Sequence, residues 1–132
     1  MRPHRVIETS LYVHDLEAAE RFYHDMIGLE VFAREEGRHL FLRCGEAMLL
    51  LFIAEATRTS TEVSPHGCDG QGHVAFAMQP DEIDAWRARL LDHGVAIEQE
   101  TDWPQGGYSI YFRDPAGNSI ELVTPQLWGY ER

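Results

Sequence analysis

The feature that most constrains the fold of this 132-residue chain is an internal repeat. Each copy begins with a short run of strand-forming residues, continues into a helical pattern and returns to strand-forming residues after a glycine. The corresponding positions are Glu8 and His73, Asp15 and Asp81, and Gly28 and Gly94. The offset is 65 for the first pair (73 − 8) and 66 for the others (81 − 15 and 94 − 28), where 66 is half of 132. A duplication of this size predicts two similar halves with a cleft between them, where ligands usually bind.

Composition and charge limit the classes of function. Hydrophobic residues make up 44% of the sequence, which is ordinary for one globular domain with its own core. The formal net charge of −11 repels phosphate backbones and anionic lipids, so we expect neither nucleic-acid nor membrane-surface binding. No membrane span or secretory signal is expected, because no apolar run approaches about 18 residues. Cys44 and Cys68 have no metal-binding spacing, and free thiols in the cytoplasm are the expectation.

Alternating polarity and helical spacing predict the order β-α-β-β-β in both halves. The predicted strands are 7–13, 29–32, 40–43 and 47–53 in the first half and 73–78, 95–99, 108–113 and 119–123 in the second. Asp15 and Asp81 occupy cap positions before the two helices, and Gly28 suits the left-handed position after the first. Residues 55–72 are predicted to be a connecting loop. The chain 1–132 is therefore predicted to be one domain, with module one at 6–54 and module two at 72–124.

Three motifs carry a resemblance to a known superfamily. They are Val13-His14-Asp15-Leu16 leading to Arg21-Phe22-Tyr23, the strand Gly72-His73-Val74-Ala75-Phe76, and the block from Tyr111 to Leu122. Over residues 6–124 the chain resembles the vicinal oxygen chelate superfamily, the glyoxalase, bleomycin-resistance and extradiol-dioxygenase group. The resemblance implies an α+β, glyoxalase-like fold in which two β-α-β-β-β modules form curled mixed sheets around a metal-binding cleft. It also implies a homodimer, because the cleft of this family is often completed across two subunits.

The resemblance further implies a set of metal ligands on the first and last strands of the modules. Carried over by position, these ligands fall on Glu8, His73 and Glu121, and the fourth position falls within 48–52, where no donor exists. The chain is thus similar to three-ligand members such as fosfomycin-resistance enzymes, although Glu8 stands where those relatives usually have histidine. Two carboxylates and one imidazole suit a divalent ion such as manganese, iron, nickel or zinc. Glu121 or Glu8, if released from the metal, would serve as a catalytic general base.

Four further residues are candidates for binding substrate. Tyr111 matches the substrate-side tyrosine of the family, and Ser109 falls on the same strand face by alternation. Trp103 and Tyr108 belong to the segment before that strand, which would suit a lid over the substrate. An aromatic residue packed in the sheet and an ordinary turn would give the same pattern, so both interpretations stay open for these positions.

Two classes of function fit this pattern. The first is a metal-dependent enzyme of the glyoxalase or antibiotic-resistance type, which performs lyase, isomerase or addition chemistry on a small oxygen-rich substrate chelated to the metal. The alternative is a metal-free resistance protein of the bleomycin-resistance type, which binds a drug in an acidic groove lined by aromatic residues. Extradiol oxygen chemistry is disfavoured because Asp102-Trp103-Pro104 stands where histidine is expected. Fosfomycin transfer is disfavoured because no lysine precedes Tyr111 to grip a phosphonate.

Overall fold

The structure, a computed structural model, describes residues 1–68 and 70–132 and divides into two units, Met1–Gly72 and His73–Arg132. Each unit contains one four-stranded mixed sheet and few helices, which confirms the predicted fold class. In each sheet the first strand of the unit pairs in parallel with the last strand, and the other pairs are antiparallel. No helix within the described ranges is long and apolar enough to cross a membrane.

The first unit contains β1 (Glu8–Val13), α1 (Leu16–Glu20), a π-helical continuation (Arg21–Met26), β2 (Glu30–Glu35), β3 (His39–Cys44), β4 (Ala47–Ile53) and α2 (Ala54–Arg58). Its strand order is β1-β4-β3-β2. As predicted, Asp15 caps α1, because its carboxylate accepts hydrogen bonds from the backbone N–H groups of Glu17 at 2.9 Å and Ala18 at 3.1 Å. Gly28 has a φ of 90° after the helix, the left-handed conformation that glycine adopts without strain.

The predicted loop 55–72 is wrong at its start, because α2 occupies residues 55–58. Ala54, Glu55 and Ala56 are good helix formers, and the buried hydroxyl of Thr57 donates to the carbonyl of Ile53 at 3.1 Å. The part of the loop prediction that falls on Asp69 lies outside the described residues.

The second unit contains β5 (His73–Ala77), a 3-10 turn (Pro80–Glu82), α3 (Ile83–Asp92), β6 (Gln99–Asp102), β7 (Tyr108–Arg113), β8 (Ser119–Val123) and a second 3-10 turn (Pro125–Trp128). Its strand order is β5-β8-β7-β6. One sheet face carries the core of this unit, with fully or nearly fully buried apolar side chains from three strands and from α3: Phe76, Leu90, Ile110, Phe112, Ile120 and Leu122. The opposite face carries the polar residues discussed below.

Two local predictions in this unit are wrong. β6 starts at Gln99 and not at Val95, because the backbone N–H of Val95 donates to the carbonyl of Leu90 at 2.9 Å and extends the helix end. The cap before α3 is Gln79 and not Asp81. The carboxylate of Glu82 accepts from the backbone N–H of Gln79 at 2.7 Å in a capping box, so Asp81 lies inside the first turn.

Candidate metal centre

Strand pairing in the second unit brings together residues that are distant in sequence. In the parallel ladder of β5 and β8, His73 lies opposite Ser119 and Ala75 lies opposite Glu121. In the antiparallel ladder of β7 and β8, Tyr111 lies opposite Glu121. Because residues opposite one another share a sheet face, the side chains of His73, Glu121 and Tyr111 meet on the face away from the apolar core.

The imidazole of His73 contacts both the backbone and Glu121. Its Nδ1 lies 3.0 Å from the carbonyl oxygen of Ser119 and 3.2 Å from the hydroxyl of the same residue. Its Nε2 lies 3.3 Å from Oε2 of Glu121. A carbonyl oxygen only accepts, so Nδ1 carries a hydrogen, and in the form of the ring without a hydrogen on Nε2 that nitrogen presents a lone pair to the carboxylate. Two acceptors that face each other require a cation or a proton between them.

The separation of Nε2 and Oε2 can be compared with the distances that these two arrangements give. Two ligand atoms bound at about 2.1 Å to one ion, at about 90 to 110° from each other, lie about 3.0 to 3.4 Å apart. A direct imidazolium–carboxylate hydrogen bond is shorter, at about 2.7 to 2.9 Å. The observed 3.3 Å between His73 and Glu121 lies within the range for a shared ion and within that of an ion pair, and an imidazole with a carboxylate is a ligand pair suited to a divalent metal of intermediate hardness.

Glu121 is a buried carboxylate in the middle of β8. It is 7% exposed and lies between Ile120 and Leu122, which are both fully or nearly fully buried. An isolated charge in such a place is costly, and the structure supplies a donor: the hydroxyl of Ser109 on β7 donates to Oε1 of Glu121 at 2.6 Å. One carboxylate oxygen is therefore held by the protein and the other faces His73.

Tyr111 provides a neutral hydroxyl on the same face. Burial raises the pKa of its phenol, and although the hydrogen bond with Ser109 lowers it, the nearby carboxylate of Glu121 raises it further. The phenol therefore remains protonated at neutral pH. A half-buried, protonated phenol next to a candidate metal ligand is suited to donate a hydrogen bond to a substrate oxygen.

The segment before β7, which is predicted from the sequence to suit a lid, is held by hydrogen bonds. The backbone N–H of Trp103 donates to the carbonyl of Gly107 at 3.0 Å, and the N–H of Gly106 donates to the carbonyl of Trp103 at 2.9 Å. The indole N–H of Trp103 also donates to the hydroxyl of Ser109 at 2.8 Å. Ser109 is fully buried and contacts Glu121, and Trp103 contacts Ser109. The assignment of these two residues to substrate binding stays a prediction.

The structure does not bring Tyr108 to this face. Tyr108 lies one residue from Ser109 on β7, so its side chain points to the opposite face. There its hydroxyl accepts from Arg87 of α3 at 2.9 Å and donates to Glu100 of β6 at 3.2 Å. We therefore remove Tyr108 from the site and assign it to the contact between α3 and the sheet.

These opposite placements predict opposite effects for two tyrosine variants. Tyr108→Phe is expected to leave the Mn²⁺ dissociation constant within about twofold of wild type and to cost about 1 kcal/mol of stability, because it removes two exposed or half-exposed hydrogen bonds. Tyr111→Phe is expected to preserve metal binding but lower kcat/KM on an active substrate about 10- to 100-fold, through loss of a hydrogen bond to the reacting molecule. Calorimetric Mn²⁺ titration and steady-state kinetics measure both effects; equal kinetic losses in the two variants would contradict the assignment.

Glu8 lies in the first unit, as the exposed first residue of β1. In the described chain, residues 1–68 and 70–132, no group of three or more histidine, cysteine or acidic residues is placed to hold a metal ion. The assignment of Glu8 as a metal ligand therefore stays a prediction. The position in the first unit that corresponds to Glu121 is Leu50, because Leu50 lies opposite Ser10 as Glu121 lies opposite Ala75. A leucine supplies no donor there, in agreement with a three-ligand set.

The sheet face that bears Glu8 also carries an aromatic cluster that the sequence patterns do not predict as a whole. Alternation places Tyr12 on the face of Glu8, and its hydroxyl lies 2.5 Å from Nδ1 of His66. Phe52 contacts His66 and Phe41 edge-on, with ring centroids 4.8 and 5.5 Å away. Counting alternate residues from Glu8 would have found Tyr12, whereas no periodicity marks His66, which lies in an irregular segment.

Comparison with known proteins agrees with this architecture. Residues 5–122 match the family model described as Glyoxalase/Bleomycin resistance protein/Dioxygenase superfamily. Glutathione transferase FosA from Serratia marcescens is 33% identical over 121 residues, which cover 89% of this chain and 79% of that protein. Metallothiol transferase FosB from Bacillus licheniformis is 29% identical over 117 residues, which cover 88% and 72%. A crystal structure of lactoylglutathione lyase from Agrobacterium tumefaciens is similar with a TM-score of 0.94 and 40% identity, over 98% of this chain and 100% of that one.

Proposed function

The chain belongs to the Glyoxalase/Bleomycin resistance protein/Dioxygenase superfamily, and from that premise we propose that it is a metal-dependent enzyme of the glyoxalase or antibiotic-resistance type. The observation that carries the proposal is the approach of His73 Nε2 to Oε2 of the buried Glu121, at 3.3 Å. The similarity to a glutathione transferase and to a lactoylglutathione lyase supports an enzyme and suggests glutathione conjugates as substrates. The reaction is of the lyase, isomerase or addition class.

Each residue has a distinct role in this proposal. A divalent ion such as manganese, iron, nickel or zinc supplies Lewis-acid polarisation of a substrate oxygen. His73 and Glu121 hold the ion, and the backbone carbonyl of Ser119 fixes the tautomer of His73 that leaves Nε2 available. We assign Glu8 as the third ligand, or as the general base that moves a substrate proton, from the same chain or from the second copy in a homodimer.

The substrate side is formed by small and polar side chains. Ala75, which lies opposite Glu121, is exposed and leaves room beside the carboxylate. Tyr111 donates a hydrogen bond from its neutral phenol. A phosphonate substrate is disfavoured because the sequence contains no lysine that could bind it. In the second unit, Arg113 of β7 is paired with Glu98, and Arg87 of α3 is paired with Glu100. A small carbonyl or hydroxyl compound suits the face better.

The proposed function is tested by measuring first the metal content of the purified protein and then its enzymatic activity. Protein purified without chelators is expected to retain about one divalent ion per site. Mn²⁺, Ni²⁺ or Zn²⁺ added to metal-free protein at about 100 times its dissociation constant should stabilise the fold by about 2.7 kcal/mol, or about 5 to 10 °C in Tm. Two reactions should be assayed first with the metal-loaded protein. One is the formation or breakdown of lactoylglutathione, and the other is the consumption of glutathione with electrophilic acceptors.

One observation favours a second function, a metal-free drug-binding protein. The aromatic cluster around Tyr12, Phe41, Phe52 and His66 offers ring faces and edges suited to a flat aromatic or cationic molecule. If metal analysis finds no ion and added metals leave Tm unchanged, while calorimetric titration shows that a planar cationic drug binds, this second function replaces the first. Metal retention together with turnover would exclude it as the principal activity.

A further inference from the structure

The two oxygens of the Glu121 carboxylate have different surroundings. Oε1 accepts a hydrogen bond from Ser109 at 2.6 Å, whereas Oε2 faces Nε2 of His73 at 3.3 Å. The first distance is that of a strong charge-assisted bond, and Ser109 is fully buried, so water does not compete for it. Only Oε2 is therefore presented toward the candidate metal position.

The indole of Trp103 determines the direction of the Ser109 hydroxyl. An indole N–H only donates, and it donates to the Ser109 oxygen at 2.8 Å. With that oxygen engaged as an acceptor, the hydroxyl hydrogen is left to point at Glu121. The phenol of Tyr111 also hydrogen-bonds with Ser109 and Glu121. The result is a polar chain from Trp103 through Ser109 to Oε1 of Glu121.

The first member of this chain is held rigidly. Trp103 is fixed by two backbone hydrogen bonds to Gly106 and Gly107. Gly107 lies so close to the 3-10 turn Pro125–Trp128 that a Cβ there would be 2.6 Å from the backbone nitrogen of Leu127.

We propose that Trp103 and Ser109 are positioning residues that hold Glu121 as a single-oxygen metal ligand through Oε2. This inference rests on the proposed metal-dependent function. Hydrogen bonds from neighbouring residues orient metal ligands, and their loss typically weakens metal affinity about 10- to 100-fold. Without the Ser109 donor, the Glu121 carboxylate rotates, or both of its oxygens approach the ion, and the coordination changes.

The experiment compares Mn²⁺ binding in wild type, Ser109→Ala, Trp103→Phe and a control, Trp128→Phe. Trp103→Phe keeps an aromatic ring and removes the N–H, and Trp128 is a 71% exposed tryptophan of the same unit. Calorimetric titration is expected to show a Mn²⁺ dissociation constant about 10- to 100-fold weaker in Ser109→Ala and about 3- to 30-fold weaker in Trp103→Phe. The paramagnetic resonance spectrum of bound Mn²⁺ should change in both variants and stay unchanged in Trp128→Phe.

The outcomes separate this inference from the proposed function. If wild type binds no Mn²⁺, Ni²⁺ or Zn²⁺, the proposed function fails and this inference fails with it. If wild type binds Mn²⁺ while Ser109→Ala and Trp103→Phe bind it equally tightly with an unchanged spectrum, only the positioning role is overturned. If Ser109→Ala does not fold, Trp103→Phe alone decides, with circular dichroism confirming that it is folded.

Discussion

Replacing Glu121 by glutamine is expected to weaken Mn²⁺ affinity by more than about 100-fold and to abolish turnover, while the protein stays folded. Loss of a residue that only hydrogen-bonds to a metal ligand already lowers metal affinity about 10- to 100-fold. Glu121→Gln replaces the charged ligand itself with a neutral amide, so the loss should be larger. The amide keeps the size of the side chain and can still accept the hydrogen bond from Ser109. It removes the negative charge that faces Nε2 of His73, so the ion loses its charged partner.

A control separates the loss of a ligand from the loss of one charge. Glu98→Gln removes a carboxylate of the same unit that is paired with Arg113 and lies in a half-exposed position. It is expected to change the Mn²⁺ dissociation constant less than about threefold, because exposed charges are screened by solvent and salt. Comparable weakening in the two variants would show that Glu121 attracts the ion only through the overall charge of −11.

Replacing Gly107 by alanine is expected to destabilise the fold by about 3 to 5 kcal/mol. Two causes add: Gly107 has a φ of 98°, which costs a residue with a Cβ about 1 to 3 kcal/mol, and the new Cβ would lie 2.6 Å from the backbone nitrogen of Leu127. Backbone cannot move aside as a flexible side chain does, so the segment Pro125–Trp128 must shift. Thermal unfolding should show a Tm lower by about 10 to 15 °C.

The neighbouring glycine isolates the steric part of this effect. Gly106 has a φ of 105°, but a Cβ on Gly106 would meet no atom within 4 Å. Gly106→Ala should therefore carry the backbone strain alone, about 1 to 3 kcal/mol. Tm values for the two variants that agree within about 2 °C would contradict a close contact between Gly107 and Leu127.

Much of the fold was predictable because the repeat and the strand patterns are local signals. β4, β7 and β8 lie where runs of strand-forming residues and turn chemistry place them. The turn before β8 is held by the buried Asp114, whose carboxylate accepts from the N–H of Ala116 at 2.9 Å and of Asn118 at 2.8 Å. β6 was misplaced because residues 95–97 alternate as a strand does, whereas pairing with β7 begins at Gln99. Strand pairing is a tertiary property that a single strand's pattern does not contain.

The candidate site was predictable in part. His73 and Glu121 were identified by their place in the resemblance, but their mutual distance depends on the register of β5 against β8, which no local pattern specifies. The position of Tyr108 was predictable, since counting alternate residues from Tyr111 puts it on the other face. The role of Ser109 was not, because a serine buried under an indole looks the same in sequence as one that contacts substrate.

The most direct test of the central claim, that His73 and Glu121 hold one divalent ion, is an anomalous-diffraction map from crystals of the protein prepared with Mn²⁺. We expect an anomalous peak about 2.0 to 2.3 Å from both Nε2 of His73 and Oε2 of Glu121. Crystals with Mn²⁺ bound elsewhere or not at all, in which the imidazole donates directly to the carboxylate, would contradict it.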